Sequence, residues 1–354
     1  MSVLDLARAD ILALAPYSSA RMEASGGTVL LNANESARAP SIPGGDGLNR
    51  YPDPQPRGLV ETLADLYGTT PDRVLATRGS DEAIDLLTRA FCRAGQDGIV
   101  ISPPTFGMYA VSARIQGAAV VEAPLEADGS LDAGKLQAAV TESTKLVYVC
   151  TPNNPTGNLV TLDTLTRIAE ALQGRALLIV DEAYAEFAGA PSATQLIDTY
   201  DHVAVLRTLS KAWSLAGARV GTLVARAEVI GLLRRIIAPY PLPSPCVDAA
   251  LAALSYAGQR VQRHHVHELL NERARMTTAL ARSPGVREVL PSHANFLAVR
   301  FDDAAGTYKR LLAAGVVVRD ITRYPGLGDA LRITVGTGNE NDRVLAVLRA
   351  EASA

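Results

Sequence analysis

Short uninterrupted apolar runs alternate with segments of helical spacing along most of the chain. Val74–Thr77, Ile99–Ser102, Ala119–Ala123, Lys145–Cys150, Ala176–Val180, Val203–Arg207 and Val220–Ala225 read as strands. Between them, Leu59–Tyr67, the stretch to Phe91, Phe106–Gln116, Leu131–Val140 and Leu162–Leu172 place apolar residues three and four apart, as amphipathic helices do. In the helix that ends at Phe91, Ser80 or Asp81 suits the N-cap. A strand without polar alternation is covered on both faces. The pattern therefore predicts an α/β fold, a mainly parallel sheet sandwiched by helices, with its site at the C-terminal strand edges.

The proline-rich stretch from Ala238 to Pro245 interrupts this alternation. Beyond it the spacing predicts one long helix from Cys246 to Arg282 and then a smaller α/β unit. Its expected strands are Val286–Leu290, Phe296–Val299, Val316–Val318 and Leu331–Val335, with helices over 304–314 and 340–352. Before the first strand, a short helix over Val3–Ala13 leads into a segment rich in proline, glycine and serine. Such a segment in a compact enzyme usually lines a site or an interface. The expected division is an arm and site-lining loop over 1–50, a large domain over 51–245, and the long helix with a small domain over 246–354.

Length and charge narrow the class. A chain of 354 residues is long enough for a large domain with a smaller companion. A net charge of -3 gives no general electrostatic reason to bind nucleic acid or membrane. The N-terminal residues lack a basic segment followed by an apolar run, and no stretch approaches the roughly 20 apolar residues that span a bilayer, so a cytoplasmic protein is expected. Cys92, Cys150 and Cys246 are far apart without CxxC spacing and read as reduced packing thiols. His264, His265 and His267 share one helix but cannot all face one ion, so no metal site is assigned.

The chemistry collects around Lys211. It follows the apolar run Val203–Leu206, where a strand gives way to a turn, and a lysine desolvated there becomes a nucleophile able to form a Schiff base with a carbonyl. Ser210 beside it can bond an anion, and Arg219 offers a planar fork of donors to a phosphate. Together they suggest an aldehyde cofactor with a phosphate tail. Asp181, ending the run Leu177–Val180, either caps the next helix or pairs with a pyridine nitrogen. Asn154, in Thr151–Gly157, and Tyr184 offer donors to a phenolate oxygen. Gly79-Ser80-Asp81 opens a helix whose free N–H groups suit a phosphate. Phe106 suits either core packing or stacking on an aromatic ring.

The segments RGSDEAIDLLTRAFCRAG, SPPTFGMYAVSA, VYVCTPNNPTG, DEAYAEF, LRTLSKAWSLAGARVG, APYPL and LRITVG, in this order and spacing, closely resemble the histidinol-phosphate aminotransferases. These are fold-type-I enzymes dependent on pyridoxal 5′-phosphate, and the resemblance runs from Tyr17 to beyond Arg332. It implies that Lys211 carries the cofactor covalently, Asp181 meets the ring nitrogen, and Asn154 and Tyr184 hold the phenolate oxygen. It implies further that Ser80, Asp81, Ser210 and Arg219 hold the cofactor phosphate, with Tyr51 reaching it from the other subunit of a homodimer. Phe106 takes the ring-stacking position. Some relatives have tyrosine there, so the hydrogen bond of that hydroxyl is absent here.

For the substrate, the resemblance implies Arg332 as the anion anchor, Arg319 as its helper, Tyr17 as a hydroxyl on the phosphate, and Asn154 beside them. The residues alone leave open a half-buried Arg332 paired with a nearby acid such as Asp329. The implied reaction moves an amino group between L-histidinol phosphate and 2-oxoglutarate in histidine biosynthesis. The alternatives are an aromatic or broad-specificity aminotransferase on the same scaffold and a decarboxylase of a phosphorylated amino acid.

Overall fold

The structure, a computed structural model, describes residues 2–15, 29 and 31–350. Seven strands form the larger sheet: β1 Val74–Thr77, β2 Gly98–Ile101, β3 Ala119–Glu122, β4 Thr144–Cys150, β5 Leu177–Asp181, β6 Val203–Thr208 and β7 Gly221–Val224, in the order β1-β7-β6-β5-β4-β2-β3. Successive residues of the central strands go to opposite cores. Val147, Val149, Leu178 and Val180 join one cluster, while Leu146, Tyr148, Leu177 and Ile179 join the other. Two covered faces account for the unbroken apolar runs.

Helices α1 Arg57–Tyr67, α2 Ser80–Phe91, α3 Met108–Gln116, α4 Ala133–Ala138 and α5 Leu162–Leu172 alternate with the strands, as the spacing predicts. A further helix, α6 Ala227–Leu233, has too few turns to stand out in the periodicity. The sheet is parallel from β2 to β6, but β7 runs antiparallel to both β6 and β1. This reversal positions the site. The chain enters β7 at the edge where β1, β4, β5 and β6 end, so Thr77 and Thr208 both pair with Gly221.

Beyond the proline-rich stretch, the expected single helix is two, α7 Ser244–Leu254 and α8 Tyr256–Leu280. Ser255 separates them. Its extended backbone (ψ 162°) leaves the helical path, and its hydroxyl accepts the Gly258 N–H at 3.2 Å to cap α8. The smaller sheet, in the order β10-β11-β9-β8, comprises β8 Val286–Val289, β9 Phe296–Phe301, β10 Arg319–Asp320 and β11 Ala330–Thr334, all antiparallel. Helices α9 Ala304–Ala313 and α10 Gly338–Ala350 pack on it. The strand expected over Val316–Val318 is not one. Val316 N–H closes the end of α9 on Leu311, Val317 is exposed, and pairing with β11 begins only at Arg319.

Two smaller expectations also change. The N-terminal helix splits into a 3-10 turn at Val3–Leu6 and a single turn at Ala9–Leu12, because Ala7 and Arg8 are extended. The N-cap of α2 is Gly79 in place of Ser80 or Asp81. Its φ of 76° lies in the region that favours glycine, and a Cβ there would stand 2.6 Å from an Arg219 nitrogen.

Candidate functional site

One cleft of about 450 Å³ opens where the strand ends of the large sheet face β10 and β11 of the small one. Asp181 is the last residue of β5, paired in register with Cys150 of β4 and Leu206 of β6. The loops after these three strands therefore start side by side. Asp181, Asn154 and Lys211 line the cleft together with Tyr184, Phe106 and Ser210. Ser80, Asp81, Arg219, Arg319 and Arg332 complete the residues singled out from the sequence that reach it. Cys150 lines it too while packing, as expected, in one core of the sheet.

Asp181 is buried at 2% exposure and uses both oxygens. Oδ1 accepts the Ala183 N–H at 3.1 Å, and Oδ2 accepts the Tyr109 hydroxyl at 2.6 Å. Burial pushes its pKa up to about 6, against the pull of the Tyr109 and Ala183 donors. Tyr109 was not legible as a site residue. The only sequence signal is a polar tip on the buried face of α3, and its partner lies 72 residues away.

Lys211 belongs to a loop tied across its base by Leu209 N–H to Val220 O and Leu215 N–H to Leu209 O, both 3.0 Å. Its Nζ stands 5.7 Å from the centre of the Tyr184 ring. The side chain is exposed through the cleft mouth, so burial desolvates it only in part. Burial nevertheless leads the causes that lower its pKa, followed by the charge of Arg332; Asp81 and Asp181 oppose and Arg219 assists.

A cup of polar groups, suited to an anion, lies at the start of α2. The first N–H groups of a helix have no partner within it, and they carry its positive end. Arg219 closes the other side, in a left-handed conformation (φ 55°), with one nitrogen 3.5 Å from Ser210 Oγ and another 3.3 Å from Asp81 Oδ2. The Asp81 carboxylate thus orients Arg219 and leaves the Asp81 backbone N–H for an anion. Gly221 permits the close approach of β7, since a Cβ there would come within 2.5 Å of Ser80 N.

The opposite wall is cationic. Arg332 on β11 and Arg319 on β10 are direct cross-strand partners, a like-charge pairing that is unfavourable without a counter-ion. Arg332 Nη1 donates to Asn154 Oδ1, its guanidinium lies 5.1 Å from the centre of the Phe296 ring, and its buried Nε has no partner among the described residues. Asp329 bonds Arg300 at 2.6 Å and also pairs with Arg287, so it does not neutralise Arg332. Asn154 Nδ2 donates to the Tyr184 hydroxyl at 3.3 Å. Asn153 fixes this loop by accepting from Thr105 and donating to Pro104 O, both 2.8 Å.

One of the described sequence-predicted residues is not in the cleft. Tyr51 is 49% exposed and stacks on Tyr240 with ring centres 4.5 Å apart. Tyr17 lies outside the described residues. His264, His265 and His267 are exposed on α8, with His264 3.3 Å from Glu268. Among the described residues no helix is long and apolar enough to cross a membrane.

The family model for class I and II aminotransferases matches residues 28–348. The histidinol-phosphate aminotransferase of Xanthomonas axonopodis pv. citri (strain 306) is 53% identical over 353 residues, which cover 98% of this chain and 97% of that one. That of Stenotrophomonas maltophilia (strain R551-3) is 52% identical over 357 residues, covering 99% and 98%. Among solved structures, histidinol-phosphate aminotransferase from Sinorhizobium meliloti in complex with pyridoxal-5′-phosphate matches with a TM-score of 0.79 at 29% identity, covering 91% of this chain and 90% of that one.

Proposed function

The chain belongs to the class I and II aminotransferases, and from that premise we propose that it moves an amino group between L-histidinol phosphate and 2-oxoglutarate. The products are imidazole acetol phosphate and L-glutamate, within L-histidine biosynthesis. The observation that carries this reading is the meeting, in one cleft, of an amine, a buried carboxylate, a helix N-terminus suited to an anion and a pair of arginines with no acid between them among the described residues.

The residues fit pyridoxal 5′-phosphate. Lys211 Nζ would hold its aldehyde carbon, Asp181 its ring nitrogen, and Asn154 and Tyr184 its phenolate oxygen. The N–H groups of Ser80 and Asp81, with Ser210 and Arg219, would hold its phosphate. Phe106 would stack on the ring. When bound, the cofactor supplies an aldehyde that captures amines and a ring that takes up electron density.

The protein's own part is proton movement and positioning. Lys211 Nζ, with its pKa lowered, would take up the proton from the substrate carbon that bears the amino group and hold it for return, acting as general base and then acid. Asp181, kept anionic by its two donors, would hold a proton on the ring nitrogen. Arg332 and Arg319 face the far end of either substrate, because a guanidinium fork serves a phosphate and a carboxylate alike. Tyr17 adds a hydroxyl there. Tyr51, exposed and outside this chain's own cleft, serves the phosphate cup of a second copy in a homodimer.

The test is steady-state kinetics on purified protein with 2-oxoglutarate as acceptor and histidinol phosphate or phenylalanine as donor. Glutamate formed with a large preference for histidinol phosphate is expected. Equal use of phenylalanine would favour the broad-specificity reading, and carbon dioxide release without glutamate would overturn transamination.

A further inference from the structure

Resting on the reading above, we propose that Tyr109 is a positioning residue: its hydroxyl holds the Asp181 carboxylate anionic and aimed, so that the proton between that carboxylate and the cofactor's ring nitrogen stays on the nitrogen.

The geometry is tight. Tyr109 is fully buried on the second residue of α3, and its hydroxyl donates to Asp181 Oδ2 at 2.6 Å. The phenol cannot swing away. On one side its ring stacks on Tyr148, with centres 4.6 Å apart and planes 13° apart. On the other it meets Phe106 edge-on at 5.6 Å. Tyr148 is itself anchored in β4, with its hydroxyl 3.4 Å from Thr88 Oγ1. One side chain therefore braces both the residue placed against the ring face and the residue placed against the ring nitrogen.

The chemistry follows from which acid in a shared pair is the stronger. A buried carboxylate tends to take up a proton, and each donor it accepts from resists that tendency. Asp181 has two such donors. The Ala183 N–H is fixed by the chain, while the Tyr109 hydroxyl belongs to a side chain and can be removed. Burial and the neighbouring Asp181 charge hold the phenol pKa well above its ordinary value, so Tyr109 remains a donor and does not itself give up the proton. Without the hydroxyl, Asp181 becomes the stronger base. The ring N–H bond then breaks, an O–H bond forms on Asp181, and the ring becomes neutral and draws electron density less strongly.

Tyr109→Phe removes one oxygen and keeps the ring between Tyr148 and Phe106. Wild type and variant, reconstituted with nitrogen-15-labelled pyridoxal phosphate, are compared by the NMR shift of the ring nitrogen. The wild-type shift is expected in the protonated range and the variant shift toward the unprotonated value. Hydrogen bonds to charged groups have net worth corresponding to roughly a ten- to hundredfold factor, and a fall in kcat on that scale should accompany the shift, with little change in KM. A variant shift identical to wild type overturns the proposal even if turnover falls, because lost packing would slow the enzyme without moving the proton. A second arm uses difluorotyrosine at position 109, a stronger donor of nearly the same shape. It should keep the nitrogen protonated, and movement to the unprotonated side also overturns the proposal. Wild type that retains no label after dialysis would instead sink the reading of the whole site.

Discussion

Replacing Asp181 by asparagine should stabilise the cofactor-free protein while destroying its activity. The carboxylate is buried, and its pKa is pushed from 3.8 to about 6. A rise of about two units corresponds to roughly 3 kcal/mol, at 1.36 kcal/mol per unit. The sign is set by which state binds the proton more tightly. Because the folded pKa is the higher one, the folded state binds more protons between about pH 4 and 6, so this contribution to stability is fully present below pH 4 and is lost as pH rises through 6. Asparagine stays neutral throughout but supplies one acceptor oxygen where Asp181 uses two, which costs about 1 kcal/mol. At pH 8 the cofactor-free Asp181→Asn protein should therefore exceed the parent by about 1–2 kcal/mol. At pH 5 the margin should shrink. Urea unfolding of both proteins at the two pH values measures it, and a variant less stable than the parent at pH 8 would refute the argument that folding bears a cost to keep this charge buried. With the cofactor present the order reverses in function, since the ring nitrogen then lacks an anionic partner.

Two further perturbations address the remaining walls. Arg332→Ala should raise KM for both histidinol phosphate and glutamate by roughly ten- to hundredfold, the worth of a charge-assisted hydrogen bond; unchanged values for both would count against the anchor. Lys211→Ala should lose turnover and the visible absorbance of bound cofactor. Mixed with a Tyr51→Phe protein, it should recover activity, because a hybrid dimer then contains one site with Lys211 and a Tyr51 from the partner intact. Absence of recovery, with hybrids shown to form, would place Tyr51 outside the shared site.

Most of the large sheet was legible because its strands are covered on both faces, which leaves unbroken apolar runs such as Leu177–Val180 with an acid at the end. Strand direction leaves no such trace. The antiparallel course of β7 had to be seen, and it is what returns Arg219 to the edge where Lys211 stands. The serine and acid at the head of α2 suggested the usual caps, but the left-handed backbone and the nearby Arg219 nitrogen select Gly79. Val316–Val318 has strand composition, yet only Val316 and Val318 pack on the core of the smaller sheet, Val317 is exposed, and the pairing starts one residue later. Tyr109 escaped notice for a different reason. A tyrosine on a buried helix face looks like core until its hydroxyl is found on a carboxylate from another strand.

Why Arg332 should be read as a binding group, when buried arginines are often structural, is answered by a second arginine in the same molecule. Arg207 on β6 is more deeply buried, and it has two acids: Glu182 at 2.8 Å and Glu186 at 2.7 Å, with the Tyr67 ring 4.9 Å from its guanidinium carbon. Burying a guanidinium without a counter-charge is costly, and the chain meets that cost at Arg207 with carboxylates of its own. At Arg332, among the described residues, it does not. The nearest strand partner is another arginine, Asp329 is engaged by Arg287 and Arg300, and burial leads the causes that lower the Arg332 pKa. Among the described residues, a chain that neutralises one buried arginine and leaves the other facing a cleft opposite a lysine has concentrated positive charge that suits an incoming anion. Such concentration marks a functional site more strongly than any single perturbed group, and it accounts for one pocket receiving both a phosphate-bearing amine and a dicarboxylate.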